Sequence, residues 1–566
     1  MKRIYISTVA ALIMSLFTTS NVKAQVLDFG GSVINNDIPT WMDLYDLSFT
    51  SHNYGTARSM AMGNAFTALG ADMVSASLNP AGVAMYVGGD VSFTPMVTVA
   101  KSNTSGEPFY LDGANEYFSN RKTRMAIPNF GIVIPVSMST GALTNVNFAV
   151  SYNRIADFNQ NRLMASRGNS ANNSLANYFC ELSNANDRDD NRKDDFNFDK
   201  NGRLEFGDPF YWGAVLAYKN GLTNRDDKGW FVDRIGEDAV VDQYSVLETR
   251  GAVDEWSFTG GFNIVDKVYL GISIGIQGID YTRDTYYGED YLYDNDGDSG
   301  LVDQLIYTNY MQTTRYYGTG HNFKFGVTAR PLNWLRVGVA YHTPTYYSLE
   351  TYYTGDMWSQ TSYIDPDTFK ENVYEIYEQS PIFEEYGINS WRFRTPSRLL
   401  TGVAVTLGNR AILSADYERS WYQTLRLQES TIIGLDDVYK GNFKDVFKAN
   451  NTLRLGAECY VLPAMALRAG YIWSDSAIKS GFEYAMTSRP SPTTQSFVTA
   501  GLGLHLSKTT YLDFAYQYGT THYTSIQPFY VTETDVDGVT TPLIESAIFD
   551  TKTKRQSFVL TIGVRF

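Results

Sequence analysis

Hydrophobic and polar positions alternate at the C-terminal end of the chain. In QSFVLTIGVRF (556–566), Phe558, Leu560, Ile562, Val564 and Phe566 occupy every second position, and the residues between them are mostly small or polar. Because successive side chains of a β-strand point to opposite faces, one face of this strand is entirely apolar. A strand of about ten residues with an apolar outer face and a polar inner face is typical of a transmembrane β-barrel. A soluble edge strand rarely leaves such a face open.

Similar segments recur along the chain and suggest a complete barrel. Short connections of a few residues alternate with long ones between them, which is the usual asymmetry of periplasmic turns and extracellular loops. The sequence therefore predicts an all-β fold, a transmembrane antiparallel β-barrel of about 14 strands with both termini in the periplasm. The predicted strands lie at 91–100, 127–136, 145–154, 256–264, 268–280, 322–330, 334–343, 398–407, 411–421, 452–460, 464–473, 497–506, 509–519 and 556–566.

Three parts of the chain are predicted from this pattern. Residues 1–24 combine a basic start, an apolar run and a small residue, Ala24, before Gln25, as in a secretory signal peptide. Residues 25–89 precede the first strand and do not alternate, and residues 90–566 form the barrel with its long loops. The largest loop, 155–255, contains a segment at 211–218 that we interpret as a short helix.

Composition agrees with a barrel in a bacterial outer membrane. The mean hydropathy of −0.25 is ordinary for a barrel with a polar lumen, and 41 Tyr, 32 Phe and 9 Trp could supply aromatic girdles. The formal charge of −15 argues against a nucleic-acid partner. Outer-membrane lipid and lipopolysaccharide are the expected surroundings. The two cysteines, Cys180 and Cys459, fall on opposite sides of the predicted membrane, so no disulfide between them is expected.

The segment 56–85 is dense in Ala, Gly, Met and Ser, and it ends near the breaker pair Asn79-Pro80. A compact run of small side chains ahead of a barrel is suited to a hatch, a plug folded inside the lumen. A periplasmic tail is the alternative, although tails are usually more charged. Proline excludes helix at the preceding residue, so Asn79 is predicted to be extended, with Gly82 allowing the chain to reverse.

Several short motifs resemble the FadL/TodX family of outer-membrane channels for long-chain fatty acids and other hydrophobic compounds. They are Ala57-Arg58-Ser59, the run from Met62 through Phe66 to Ala68, and Asn79-Pro80-Ala81-Gly82. Further likenesses occur at 335–344, 416–421, 453–458 and 467–471. The resemblance implies a hatch in which Asn79, Pro80, Ala81, Gly82, Arg58 and Phe66 gate the ligand. The long loops match nothing in the family.

This resemblance implies passive uptake of hydrophobic small molecules, without enzymatic activity and without a cofactor. Family members collect the ligand between extracellular loops, hold it above the hatch and release it sideways through a gap in the wall. Tyr286-Tyr287, Tyr346-Tyr347 and Tyr352-Tyr353 could line such a groove or belong to an interface girdle. The alternative is a barrel of the same family that acts as a scaffold or shuttle, with protein partners docking on its long extracellular loops.

Other chemical signals are weaker. Oxygen-bearing residues from Asn197 to Asp208 have the spacing of a calcium loop, and an acidic solvated loop is the alternative. The run Asp294–Asp298 fits calcium less well. The histidines at 52, 321, 342, 505 and 522 lack metal-ligand spacing, and no nucleophile-elbow motif is present. A haem ligand among the many tyrosines is left open.

Overall fold

The structure is a computed structural model. It describes residues 26–29, 41–49, 53–104, 120–138, 141–186, 212–227, 229–235, 239–293, 304–365, 368, 370–379, 389–408, 410–430, 443–479, 494–526, 529, 531–534, 540–544 and 548–566. The predicted signal peptide and both calcium candidates, Asn197–Asp208 and Asp294–Asp298, lie outside these residues. Among the described residues, no helix is long and apolar enough to span a membrane.

Most of the described chain is strand. The helices are α1 (Trp41–Ser48), α2 (Ala57–Ala61), α3 (Ser75–Leu78), α4 (Leu175–Asn186), α5 (Trp212–Lys219) and α6 (Phe443–Val446), with 3-10 turns at Pro80–Met85, Ala171–Asn173 and Tyr422–Thr424. The strands are β1 (Val26–Phe29), β2 (Asp90–Thr104), β3 (Asn120–Ser137), β4 (Leu143–Asp157), β5 (Gln160–Ser170), β6 (Thr223–Arg225), β7 (Phe231–Asp233), β8 (Val240–Ile264), β9 (Val268–Leu292), β10 (Gln304–Leu332), β11 (Leu335–His342), β12 (Tyr346–Ile364), β13 (Glu371–Gln379), β14 (Asn389–Arg394), β15 (Arg398–Leu407), β16 (Ala411–Trp421), β17 (Arg426–Ser430), β18 (Ala449–Leu462), β19 (Met465–Ser474), β20 (Gln495–His505), β21 (Thr510–Ile526), β22 (Val531–Thr534), β23 (Thr540–Ile544) and β24 (Ile548–Arg565).

Fourteen of these strands close into an antiparallel barrel, as the sequence predicts. Each pairs with the next around the ring, and the last pairs with the first. Every predicted strand corresponds to one strand of the ring. The order is β2, β3, β4, β8, β9, β10, β11, β15, β16, β18, β19, β20, β21 and β24.

The outward faces of the ring form an apolar belt. On β24, Phe558, Ile562 and Val564 are exposed, whereas Ser557 and Thr561, which point inward, are buried. Neighbouring strands repeat this arrangement with Val, Ile, Leu, Phe and Tyr outside and Ser, Thr, Asn or Gly inside. A soluble monomer rarely leaves so large an apolar surface exposed, whereas a barrel in a bilayer requires it.

The strands extend far beyond this belt at the end of the barrel with long connections, here called the long-loop end. β8, β9 and β10 contain 25, 25 and 29 residues, whereas a membrane crossing needs about 9 to 11. The predicted loops at 155–255 and 281–321 are therefore partly strand. The segment at 211–218 is helical as predicted, within one residue of α5.

The predicted location of the N-terminus, on the same side as the C-terminus, is wrong. The C-terminal Phe566 bonds to Gly89 at the opposite end, here called the short-turn end, in agreement with the prediction. By contrast, β1 pairs with β22, which lies in the long connection between β21 and β24. Because β1, α1 and residues 53–89 then follow in order, the chain runs through the barrel before its first barrel strand begins.

Residues 53–89, here called the N-terminal segment, lie inside the ring. The turn at Pro80–Met85 contacts β4, β8, β9 and β10, and α2 contacts β19, β20, β21 and β24 on the other side. Apart from the ends of the segment, nearly all of its side chains are buried. Within residues 56–85 the helical structure is divided into α2, α3 and the 3-10 turn, because Gly63, Asn64, Gly70 and Ala71 adopt positive φ.

Candidate functional site

Asn79 lies at the centre of the N-terminal segment. Its backbone is extended, with φ −139° and ψ 103°, as expected before proline, and its side chain is fully buried. The Nδ2 amide donates to Thr67 O at 2.6 Å and to Thr328 Oγ1 of β10 at 3.1 Å, and Oδ1 accepts from Ala81 N at 3.1 Å. One side chain thus caps the Pro80–Met85 turn and fastens it to the wall.

Gly82 does not reverse the chain, contrary to the sequence prediction. It lies inside the 3-10 turn, and its φ is not positive. Its role is close packing, because an added Cβ would lie 2.6 Å from Ser75 Oγ and 2.8 Å from Gly70 Cα. The chain turns instead at Gly70, where φ is +69°.

Arg58 ties α2 to another part of the wall, at β18. Its Nε and Nη2 donate to the two carboxylate oxygens of Glu458 at 3.0 and 2.9 Å. Glu458, which is buried, also accepts from Arg468 at 2.6 Å, and Arg468 in turn donates to Asp513 at 2.5 Å. The Arg58 guanidinium lies 5.5 Å from the centre of the Phe66 ring. The structure therefore brings Arg58 and Phe66 together, whereas Asn79–Gly82 contact another part of the ring.

Inward-facing glycines let the wall approach the N-terminal segment. An added Cβ at Gly271 of β9 would overlap the backbone of Pro80 and Ala81, and one at Gly326 of β10 would overlap Asn79 Oδ1. We call the set of such positions the glycine ring. Its members are Gly131, Gly261, Gly271, Gly326, Gly338, Gly402, Gly456, Gly470 and Gly501, which lie on nine strands of the barrel.

Above the N-terminal segment, towards the long-loop end, the lumen is filled by an inner apolar cluster. Helix α1 contributes Leu44, Tyr45 and Leu47, and the rest comes from the wall and from loops. Arg283 of β9 donates to the buried Asp43 of α1 at 2.5 Å. The other members of the cluster are Ile155, Ala156, Phe158, Val253, Ile279, Tyr281, Tyr316, Tyr347, Leu349, Trp391, Phe393, Tyr422, Leu425, Phe443, Val446, Phe447, Ala477 and Ile478.

Two adjoining cavities separate this cluster from the N-terminal segment. The lower one is lined by Tyr54, Asn64, Val74 and Leu78 of the segment and by Pro128, Asn153, Arg154, Ile155, Arg398 and Arg454 of the wall. The upper one reaches Phe49, Lys324, His342, Tyr347 and Tyr422. Ile155 and Arg398 line both cavities.

Charged groups line the upper cavity. Lys324 pairs with the buried Glu255, and Arg398 donates to Glu418 at 3.3 Å. His342 Nε2 lies 2.8 Å from Leu78 O, and its Nδ1 lies 2.9 Å from Arg398 Nη2. Because a carbonyl only accepts and a guanidinium only donates, His342 carries its proton on Nε2 and is neutral. The ring therefore connects the N-terminal segment to Arg398.

The hydrogen-bonded wall is interrupted beside the lower cavity. β3 pairs with β4 only from Asn129 to Ser137, and residues 120–126 pair only with β2. On the other side of the break, β5 pairs only with β8. Two prolines, Pro95 of β2 and Pro128 of β3, lie at the register shift where the break begins. Proline lacks an amide donor, so it is found at bulges and edges of sheets, which explains the position of the break.

Most of the tyrosines, and both cysteines, that the sequence analysis singled out lie outside the two cavities. The three tyrosine pairs are in strands β9 and β12, not in loops. Tyr287, Tyr347 and Tyr353 point inward and are buried, and only Tyr347 lines one of the two cavities. Among the described residues, no group of His, Cys, Asp or Glu could hold a metal ion. Cys180 and Cys459 are both free, as expected.

Sequence reasoning missed the break, the glycine ring and α1. Two prolines inside predicted strands were the available signal for the break. The glycine ring could have been found from a Gly on the inner face of most predicted strands. Nothing in residues 41–49 distinguishes a lumen helix from a surface helix.

The fold and the interior together define a closed, 14-stranded transmembrane-type barrel whose lumen is occupied by its own N-terminal residues. No family model and no curated protein matches the chain. Solved structures of FadL- and TodX-type channels, the family that the sequence motifs resemble, are similar to it. A FadL homologue from Pseudomonas aeruginosa is 14% identical over 92% of this chain and 99% of that chain, with a TM-score of 0.49.

Two toluene transporters are also similar. TbuX of Ralstonia pickettii is 14% identical over 91% of this chain and 99% of that chain, with a TM-score of 0.45. TodX of Pseudomonas putida is 12% identical over 92% of this chain and all of that chain, with a TM-score of 0.44. At these values the similarity carries no information about substrate.

Proposed function

We propose that this protein is a channel of the bacterial outer membrane for passive uptake of hydrophobic small molecules, and that the structure is its closed state. The observation that carries the proposal is the pair of adjoining cavities, which lie under an aromatic lumen and reach the break in the wall. A water-filled porin would instead have an open polar lumen. The N-terminal segment acts as the hatch, with Asn79, Pro80, Ala81, Gly82, Arg58 and Phe66 holding it in place.

The proposed path leads from the long-loop end to the side of the barrel. A ligand displaces α1 from the inner apolar cluster, enters the two cavities and leaves into the bilayer between β3 and β4. Exit through the short-turn end is blocked, because the N-terminal segment is hydrogen-bonded to β10 and to β24, which lie on opposite sides of the ring. Burial of each CH₂ group contributes about 0.8 kcal/mol, so an apolar path can hold an acyl chain that a polar pore cannot.

We infer that long-chain fatty acids are among the substrates. The upper cavity combines aromatic side chains, Tyr347 and Tyr422, with the cationic groups of Lys324 and Arg398. An acyl tail suits the aromatic side chains, and its carboxyl group can hydrogen-bond to the ion pairs that Lys324 and Arg398 form with Glu255 and Glu418. Toluene and similar hydrocarbons would use only the apolar part.

The test is uptake of labelled oleate and labelled toluene in cells that lack the gene and carry either the wild-type chain or Ile155→Trp. Ile155 lines both cavities, so a larger side chain should fill the space between them and reduce uptake severalfold. Ile274→Trp, on the lipid-facing side of β9, is the matched control and should leave uptake unchanged. If the wild-type chain adds no uptake of any hydrophobic compound, the proposal is wrong.

A second function, as a scaffold or shuttle in an outer-membrane complex, is favoured by one observation. The lumen is filled with side chains, and the long-loop end carries a separate core, here called the cap, in which α4 and α5 pack on β9, β10 and β12. Isolation in mild detergent should then yield stoichiometric protein partners. Absence of partners together with oleate uptake would remove this alternative.

A further inference from the structure

Four adjacent strands, β3, β2, β24 and β21, present ordered rows of side chains on the outside of the barrel. Because directly opposed residues are fixed by the strand register, the rows can be traced across the sheet. Met125, Val97, Phe558 and Tyr516 form one row, and Thr123, Val99, Gln556 and Tyr518 form the next row towards the long-loop end. The third row contains Arg121, Lys101 and Lys554, here called the cationic row.

The cationic row places like charges directly opposite each other. Lys101 is paired in register with Arg121 on one side and with Lys554 on the other, and all three side chains are exposed. Opposed side chains in an antiparallel pair have Cβ atoms about 4.5–5.5 Å apart, and like charges there are destabilising. One step further, Lys552 lies opposite His522. The concentration of positive charge is notable in a chain with a net charge of −15.

Within the described part of the chain, these three side chains form no ion pair or hydrogen bond. Two other outward arginines differ in this respect. Arg250 pairs with Asp284, and Arg315 donates to Asp280 at 2.9 and 2.7 Å. Both arginine side chains are nevertheless exposed, at 48% and 47%. Within the described residues, these two outward arginines have a protein counter-charge, whereas the cationic row has none.

The height of the row on the barrel indicates its counter-ion. Lys554 lies twelve positions from the C-terminal Phe566, which marks the short-turn end. With about 3.4 Å per residue and a strand tilt of about 40°, this is roughly 30 Å along the barrel axis, which equals the thickness of a bilayer core. Directly below it lies the mixed row of Thr123, Val99, Gln556 and Tyr518. The apolar row comes next, with Met125 80% and Phe558 54% exposed.

We infer that the cationic row binds the phosphate groups of a lipid A headgroup in the outer leaflet, with its acyl chains lying on the Met125 and Phe558 row. The inference rests on the proposed outer-membrane location but not on transport. Basic side chains at adjacent positions can share one phosphate through charge-assisted hydrogen bonds. The apolar row two steps below favours a phospholipid-like ligand over a free anion. The site adjoins the edge of β3 that β4 leaves unpaired, so the bound lipid borders the break in the wall.

The test is binding of purified bisphosphorylated lipid A to the detergent-solubilised full-length barrel, measured by native mass spectrometry. Dephosphorylated lipid A and inorganic phosphate are the comparison ligands. Wild-type protein should retain lipid A, and retention should fall about tenfold or more in Lys101→Gln/Lys554→Gln, because each lost contact is a hydrogen bond to a charged group. The matched control, Arg250→Gln/Arg315→Gln, removes the same charge from ion-paired positions and should change retention little.

Three results would overturn the inference. Equal retention of dephosphorylated lipid A would show that phosphate is not recognised. Full displacement by millimolar inorganic phosphate would show a simple anion site. An equal loss in the control variant would show a general charge effect. Heat-modifiable migration on gels shows whether each variant has assembled into a barrel. If a variant fails to assemble, the comparison of phosphorylated with dephosphorylated lipid A on the wild-type protein still tests the inference. Since no uptake is measured, failure here leaves the proposed channel function untouched.

Discussion

At the scale of single residues, buried polar side chains hold the N-terminal segment in place. Asn79 satisfies both its own amide and two backbone groups of the segment, Thr67 O and Ala81 N. Loss of the Asn79 side chain would leave these buried backbone groups without a partner, and each unsatisfied buried donor or acceptor costs about 1–3 kcal/mol. The resemblance motif therefore marks residues with a clear structural task.

We predict that Asn79→Ala loosens the segment without preventing barrel assembly. The substitution removes three hydrogen bonds within the lumen, while the strand ladder that holds the ring together is unchanged. Sensitivity to large antibiotics should rise, or uptake should fall, while heat-modifiable migration stays normal. Asn333→Ala, at an exposed turn, is the control. Loss of membrane insertion with unchanged uptake would contradict a gating role.

A second residue-scale prediction concerns charge balance around Glu458. Arg58→Gln leaves Glu458 and Asp513 facing Arg468 alone, and Glu458→Gln leaves two arginines with one carboxylate. Breaking a buried pair in this way typically costs about 3–5 kcal/mol. The double variant keeps Arg468 with Asp513 and should be less destabilised than either single variant. Limited proteolysis of the N-terminal segment in increasing urea measures this, and additive costs would refute the coupling.

At the scale of elements, the glycine ring determines how closely the wall approaches the segment. We predict that Gly271→Ala prevents the Pro80–Met85 turn from seating, because the new Cβ would overlap the backbone of Pro80 and Ala81. Conductance in planar bilayers should increase. Gly278→Ala, on the same strand, is a matched control, since no atom lies within 4 Å of its added Cβ. Equal conductance of the two variants would contradict the seating role.

The sequence allowed every barrel strand to be located, because a bilayer enforces strict alternation on the outer face. Above the belt this constraint ends. On β9 the outward positions change from Leu270, Ile272, Ile274 and Ile276 to Asp280 and Asp284, so the strand continues to Leu292 without an apolar signal. The contacts of Asn79 and Arg58 were equally hidden, because their partners Thr328 and Glu458 are 249 and 400 residues away in sequence.

At the scale of the whole molecule, the cap is a second core above the membrane belt. It joins α4 and α5 with β9, β10 and β12, and Phe529 packs at its centre. The Phe529 ring lies within 6.3 Å of the rings of Tyr178, Phe179, Tyr287 and Tyr310, measured between ring centres. Glu289 accepts the amide of Leu175 at the start of α4 at 2.9 Å, and burial raises the pKa of this carboxyl group.

We predict that Phe529→Ala destabilises the cap by about 3–5 kcal/mol, the usual cost of removing a buried aromatic side chain, and leaves the barrel intact. Amides of α4 and α5 should exchange hydrogen faster, while those of β15, β16 and β18 should be unchanged. Phe325→Ala, which faces lipid, is the control for loss of an aromatic ring. Faster exchange throughout the barrel would show that cap and barrel unfold together.

The route of the N-terminal residues has a consequence for biogenesis. β1 pairs with β22, residues 57 and 561 are joined by a hydrogen bond from Ala57 N to Thr561 Oγ1, and β2 pairs with β24. The first residues of the described chain therefore find their final partners only when the last ones have been made. A ring that had already closed would have to admit the N-terminal segment through a lumen that is largely filled with side chains. We therefore expect the barrel wall to close around an N-terminal segment that is already in place. A chain that lacks its last strand would then neither close nor form an open pore.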